Sequence, residues 1–124
     1  MAEFSLALNE DQLGIKEWVH GFAEDVVRPV AEEWDEKEEF PFPVVEQAAE
    51  IGLYGWEFMA EAMWNDPTGL TMPVAIEELF WGDAGIGMAI MGSGLAAAGI
   101  VASGTNQQVM EWVRTHFESV SGRA

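Results

Sequence analysis

Residues 84–110 read AGIGMAIMGSGLAAAGIVASGTNQQVM, a run without a single charged side chain. The run is long enough for a membrane span. It is also dense in small residues, with Gly85, Gly87, Gly92, Gly94 and Gly99. No basic residues flank it closely, and the aromatic Trp81 stands at one end only, so the anchors of a spanning helix are lacking. The expectation is therefore a helix over about residues 86–103, buried in protein and apolar on all sides, with no membrane partner. Gly104 ends it.

Working outward, Thr105 and Gln108 form a capping box that starts a further helix carrying Val109, Trp112, Val113, His116 and Val120. On the other side, Gly82-Asp83-Ala84-Gly85 separates the uncharged helix from one that starts near Thr71. That helix has Pro73 in its first turn, Ile76, Leu79 and Phe80 directed inward, and Glu77 outward. Residues 55–69 read as irregular, and Asn65-Asp66-Pro67-Thr68-Gly69 is a strong turn signal. Before them a helix opens at Phe40-Pro41-Phe42-Pro43. It buries Val44, Val45, Ala48 and Ile51, and Gly52 caps it. The first helix starts with Asn9 as N-cap and Gln12 in the reciprocal position, then runs to about Asp35. Its stripe is Leu13, Trp18, Val19, Phe22, Val26, Val30 and Trp34. Pro29 lies inside the stripe and predicts a kink near residues 25–28. No alternating apolar run suggests a strand, so the class is all-α: an orthogonal or up-down bundle of about five helices in one domain.

The 124 residues carry 22 acidic side chains against five basic ones, a net charge of −17. Such a chain repels phosphate backbones and anionic lipid, which argues against nucleic acid as a partner. The acid gathers in Glu32, Glu33, Asp35, Glu36, Glu38 and Glu39, which read as a solvated helix end. Self-repulsion should weaken the fold at low salt, so the melting temperature is expected to rise when moderate salt is added. No cysteine is present. Disulfides, thiolate nucleophiles and cysteine-based zinc sites are therefore excluded. Residues 1–9 have neither a basic region nor a long apolar run of the signal-peptide kind, and a cytoplasmic location is expected.

Few residues carry chemistry by spacing. Glu17 and His20 make half of the Glu-x-x-His pattern of di-iron bundles, but His116 has Val113 three positions before it, so no metal site is expected. His20 reads as a helix-surface residue and His116 as a partly buried one. Glu77 and Glu78 are adjacent and point about 100° apart on a helix, so they cannot share a substrate. Glu78 reads as a buried carboxylate paired with a neighbouring backbone group. Ser93 does not follow a strand, which rules out a nucleophile elbow, and there is no phosphate loop. No catalytic residue emerges. Gly87, Met88, Met91, Gly92 and Leu95 form one groove at helical spacing, open to two readings: a wall for a ligand's alkyl chain, or helix–helix packing.

Asn9-Glu10-Asp11-Gln12, Phe22-Ala23-Glu24, Arg28-Pro29-Val30-Ala31 with Trp34-Asp35, and Phe40-Pro41 followed by Ala49-Glu50-Ile51-Gly52-Leu53-Tyr54-Gly55 form an ordered series. Ile76-Glu77-Glu78-Leu79, Gly85-Ile86-Gly87-Met88, Ser103-Gly104-Thr105-Asn106-Gln107-Gln108 and Glu111-Trp112 continue it. In this order the segments resemble the acyl-CoA dehydrogenases. The resemblance covers about Phe4 to Val113. It makes residues 1–113 an N-terminal helical domain and 114–124 an atypical tail. It departs from the family's pattern after the second helix, where Met59-Ala60-Glu61 and Met63-Trp64 stand in place of a Pro-Glu and Gly-Gly turn.

The resemblance implies a flavoenzyme of three parts, with FAD held mainly by two later domains and a glutamate base in the last. It implies acyl-CoA as substrate, α,β-dehydrogenation as reaction, and an acyl-pocket wall that includes Gly87, Met88, Met91, Gly92 and Leu95. The chain is expected to be truncated, to be inactive alone, and not to hold FAD tightly. Its other partners would be itself or a chain supplying the missing domains. The alternatives are a non-catalytic helical interaction or oligomerisation protein derived from the same family, and a small membrane protein.

Overall fold

A computed structural model describes residues 3–121, with only the backbone described at 120 and 121. Among the described residues six helices and no strand are present. They are α1 (10–37), α2 (Phe42–Glu50), α3 (56–65), α4 (Thr71–Gly82), α5 (Ala84–Ser103) and α6 (106–121). The class is all-α as expected. The additional helix is α3, so residues 56–65 are not irregular. Met59 and Ala62 are buried on the inner side of α3, and Phe58 beside them meets Trp18 of α1 edge-on. That burial outweighs the poor helix propensity of aromatic residues.

α1 begins in a complete capping box. The Asn9 side chain accepts from the Gln12 N–H at 2.8 Å, and the Gln12 side-chain oxygen accepts from the Asn9 N–H at 3.1 Å. Gln12 is buried, and its amide also donates to Thr68 Oγ1 at 2.7 Å, tying the start of α1 to the loop before α4. Pro29 explains the middle of α1. Its ring would meet the carbonyl of Asp25 in a regular α-helix, and it has no N–H to donate. The helix widens to one π-type turn at Ala23–Val27 and tightens to a 3-10 turn at Arg28–Val30, which absorbs both faults. α1 ends at Glu38, the one non-glycine described residue with positive φ, at 52°. A left-handed glutamate is strained, and its carboxylate sits at the negative end of the helix dipole. Glu38→Gly is therefore expected to stabilise the fold by about 0.5–1 kcal/mol, the relief being partly offset by the freer unfolded chain. Thermal melts would read this as a higher melting temperature.

Gly52 caps α2 at φ +87°, with the Leu53 N–H reaching back to the Ala48 carbonyl at 2.9 Å. The loop before α4 is held by Asp66. Its carboxylate accepts from the Thr68 hydroxyl and N–H and from the Thr71 N–H, at 2.6, 2.9 and 2.9 Å. These bonds, the Thr68 hydroxyl foremost, hold the Asp66 carboxyl far below the usual carboxylate range. A depressed folded-state pKa adds stability above the unfolded value, about 4, and this is lost as pH falls through the folded one. Asp66→Asn should lower the melting temperature at neutral pH and make no difference in strong acid.

α1 packs along α4, α4 on α5, and α2 against α5 and α6. The core is Val19, Phe22 and Val27 of α1, Val44, Val45 and Ala48 of α2, Leu53 and Tyr54 after it, Leu79 of α4, Ile86 and Ile90 of α5, and Val113 and Phe117 of α6. Three expected core members lie outside it: Leu13, Ile51 and Trp112 are exposed. Ile51 falls just beyond the last residue of α2, and Leu13 and Trp112 each stand beside a buried neighbour, Gln12 and Val113, that takes the inward position instead. Val120 lies, as regards its side chain, outside the described residues.

Candidate functional site

α5 is the helix on which the sequence places its groove. Its start is fixed by Asp83, whose carboxylate accepts from the Ile86 N–H at 2.7 Å. It hitches once, at Gly92, between Ala84–Met91 and Ser93–Ser103. There the Leu95 N–H turns to the Gly92 carbonyl at 3.1 Å. A Cβ at 92 would lie 2.6 Å from the Met88 carbonyl oxygen, so glycine is required.

The expectation that α5 is buried on all sides is overturned. Only 22% of its most apolar window is buried, and Ser93–Ser103 buries Ala97 alone. The reason is geometric: α4, α2 and α6 are the main helices packed on α5, Met59 of α3 reaches it at Gly94, and most of Ser93–Ser103 stays open among the described residues. By length and composition alone α5 is apolar enough to cross a membrane.

The five groove residues divide. Gly87 is buried, and the space of its absent Cβ is taken by the Phe80 ring, 2.6 Å away. Met91 is half-buried against the core, and Gly92 is half-buried beside it. Met88 and Leu95 face outward, 49% and 73% exposed. Met88 borders an open cleft of about 520 Å³ whose apolar wall includes Trp34, Phe40 and Ile86, and whose mouth carries Asp35, Glu38, Glu39 and Asp83. Four carboxylates and no cation make that mouth unfavourable for an anion.

Two polar clusters lie elsewhere. Glu78, largely buried, receives His20 Nδ1 at 2.7 Å on one oxygen and Lys16 Nζ at 3.7 Å on the other. It pairs with side chains of α1, not with a backbone group as its position suggested, because α1 brings Lys16 and His20, four apart on one helical face, across from it. His20 also lies against the Trp81 ring, as does the Arg28 guanidinium, 4.3 Å from the ring centre. Among the described residues no group of three acidic or histidine side chains could hold a metal ion. The second cluster joins Tyr54, Ser93 and His116. The buried Tyr54 hydroxyl is 2.8 Å from Ser93 Oγ and 2.7 Å from His116 Nε2. His116 is exposed overall, although this one nitrogen is engaged. Nothing in the spacing of positions 54, 93 and 116 announces it; the only signal was the tyrosine itself, whose hydroxyl needs a partner when buried.

The described cations are all engaged. Lys16 meets Glu78, Lys37 meets Glu33, Arg114 meets Glu118, and Arg28 covers Trp81. The one side-chain-capped start of α5 is already filled by Asp83. A dinucleotide's pyrophosphate thus finds no cluster of free cations among the described residues, although the starts of α2, α3 and α4 carry no side-chain cap.

The sequence model of the acyl-CoA dehydrogenase N-terminal domain matches residues 9–118. The chain is 30% identical over 111 residues to a probable medium-chain specific acyl-CoA dehydrogenase 2, mitochondrial, of Caenorhabditis briggsae, covering 90% of this chain and 27% of that protein. It is 31% identical over 104 residues to an isobutyryl-CoA dehydrogenase, mitochondrial, of Dictyostelium discoideum, covering 84% and 25%. It is 32% identical over 107 residues to a (2S)-methylsuccinyl-CoA dehydrogenase of Cereibacter sphaeroides, covering 86% and 20%. The chain spans about a quarter of the length of the curated relatives it matches.

Proposed function

The chain belongs to the acyl-CoA dehydrogenase family through its N-terminal domain, and from that premise we propose that it supplies one wall of an acyl-chain pocket. The reaction served would be the α,β-dehydrogenation of acyl-CoA thioesters, with FAD and the base contributed by residues other than these. The observation that supports this is the outer side of α5. It carries no charge, and it leaves Met88 and Leu95 uncovered by the domain's own core. In a chain of net charge −17, an uncharged apolar face is the natural border for an alkyl chain. On this reading the 124-residue polypeptide by itself neither retains flavin nor turns over, and a cytoplasmic setting goes with it, to be checked by cell fractionation.

The test has two arms. The purified polypeptide is mixed with FAD and acyl-CoA thioesters of several lengths; retained yellow colour with turnover would refute inactivity. The second arm follows the methyl signals of Met88, Met91 and Leu95 by NMR as octanoyl-CoA is added. Saturable shifts there, with Met59 and Met72 unmoved, support the wall; no shift at Met88 and Leu95 removes it.

A second reading is favoured by the exposure of Ser93–Ser103: this face docks on another copy, making the chain an interaction protein. Sedimentation would decide it, since a monodisperse monomer over a wide concentration range speaks against self-association.

A further inference from the structure

We propose that Phe80 of α4, in place of Gly87, closes the far end of the acyl-chain wall and sets the longest straight chain that gains from contact with it. This rests on the acyl-wall reading above. Leu95, Met91 and Gly87 follow one another at intervals of four along α5. Residues so spaced make one inclined row on a helix surface. From Leu95 to Gly87 the row rises about 12 Å, at roughly 1.5 Å per residue. It starts at an exposed leucine, passes a half-buried methionine and ends at a buried glycine.

Gly87 cannot supply the last part of the wall, because it has no side chain and is itself covered. The Phe80 ring stands where a Cβ at 87 would point: Cδ2 lies 2.6 Å, Cε2 2.8 Å and Cγ 3.2 Å from that place. With Cγ this near, the whole side chain, not only a movable tip, fills the position. The ring packs on the core and stays partly open to solvent. An alkyl chain laid along the row from Leu95 therefore meets an aromatic ring at the other end. The open Leu95 end has room for the polar thioester and its carrier, and the closed apolar end suits the methyl terminus. A ring held against a close-packed core has little freedom to move aside, so it acts as a stop. Up to the ring, each added methylene leaves water and is worth roughly fourfold in affinity. Beyond it, further methylenes return to water and add little.

The test titrates the 124-residue chain with butanoyl-, hexanoyl-, octanoyl-, decanoyl- and dodecanoyl-CoA, following the methyl signals of Met88, Met91 and Leu95 by NMR. In the unmodified chain affinity should rise with length and then level off, with dodecanoyl-CoA within about twofold of decanoyl-CoA. In Phe80→Ala the rise should continue, with dodecanoyl-CoA binding roughly tenfold more tightly than decanoyl-CoA. Phe80→Leu keeps an apolar side chain on the core, and it carries the test if Phe80→Ala does not fold; its gain should be about threefold. Phe80→Ala/Gly87→Leu fills the freed space from α5 instead and should restore the levelling-off. A folded Phe80 variant that keeps the unmodified length profile overturns the proposal, as does a steady climb to dodecanoyl-CoA in the unmodified chain. If no thioester shifts Met88, Met91 or Leu95, the acyl wall itself is gone, and this proposal with it.

Discussion

Gly87→Val should destabilise the fold by about 2–3 kcal/mol, whereas Gly99→Ala, twelve positions along the same helix, should stabilise it by about 0.5–1 kcal/mol. Both residues are glycines in α5, and a helix-propensity argument treats them alike: replacing glycine should help. The surroundings separate them. A Cβ at Gly99 meets nothing within 4 Å, so alanine gains the propensity difference in full. A Cβ at Gly87 lies 2.6 Å from Cδ2 and 3.2 Å from Cγ of Phe80. Moving the outer edge of a ring is easy, but moving Cγ requires the whole side chain to leave its place on the core. Valine adds two methyl groups to that conflict, and its small propensity advantage over glycine cannot offset overpacking of that kind. Urea denaturation of the two variants would measure both signs. A neutral Gly87→Val would mean that Phe80 swings outward without loss, and that the close fit of α4 on α5 is not what the contact implies.

The helix ends were the most legible part of the sequence. The Asn9–Gln12 and Thr105–Gln108 boxes, the Gly52 cap and the Asp66 turn all depend on hydrogen bonds between groups two to five residues apart, so their signals are local and survive in a linear reading. Pro29 announced a disturbance, and its form, a wide turn followed by a tight one, is the least disruptive way to keep α1 continuous. What could not be read depended on partners distant in the chain. Glu78 found His20 and Lys16, 58 and 62 positions away, because α1 and α4 lie side by side. Ser93 and His116 met through Tyr54 for the same reason. α5 departs from expectation for a different cause: an uncharged run reads as buried, yet composition reports what a surface can contact, not whether this chain contacts it. The same uncertainty runs through the five groove residues, since helical spacing placed them together while neighbouring helices turned Gly87 and Met91 inward and left Met88 and Leu95 outside.

Leu79→Ala should cost about 3 kcal/mol, and Leu95→Ala no more than about 0.5 kcal/mol in a dilute monomer. The two leucines sit on adjacent helices with the same side chain, but Leu79 is 0% exposed at the centre of the core and Leu95 is 73% exposed. Truncating Leu79 removes its buried methyl groups and leaves a cavity that the surrounding helices close only in part. Truncating Leu95 removes contacts with water, so the fold has no stake in it. The second number is the more informative. If Leu95→Ala proves costly, and the cost grows with protein concentration, the outer side of α5 is covered by another copy of the chain, and the interaction reading gains what the acyl-wall reading loses. If the cost is negligible at every concentration, then a large apolar side chain stands on the surface of a strongly acidic domain without serving its stability. Leu95, with Met88 on the same helix, is then free to border something the domain contacts, which is the position an alkyl chain would occupy.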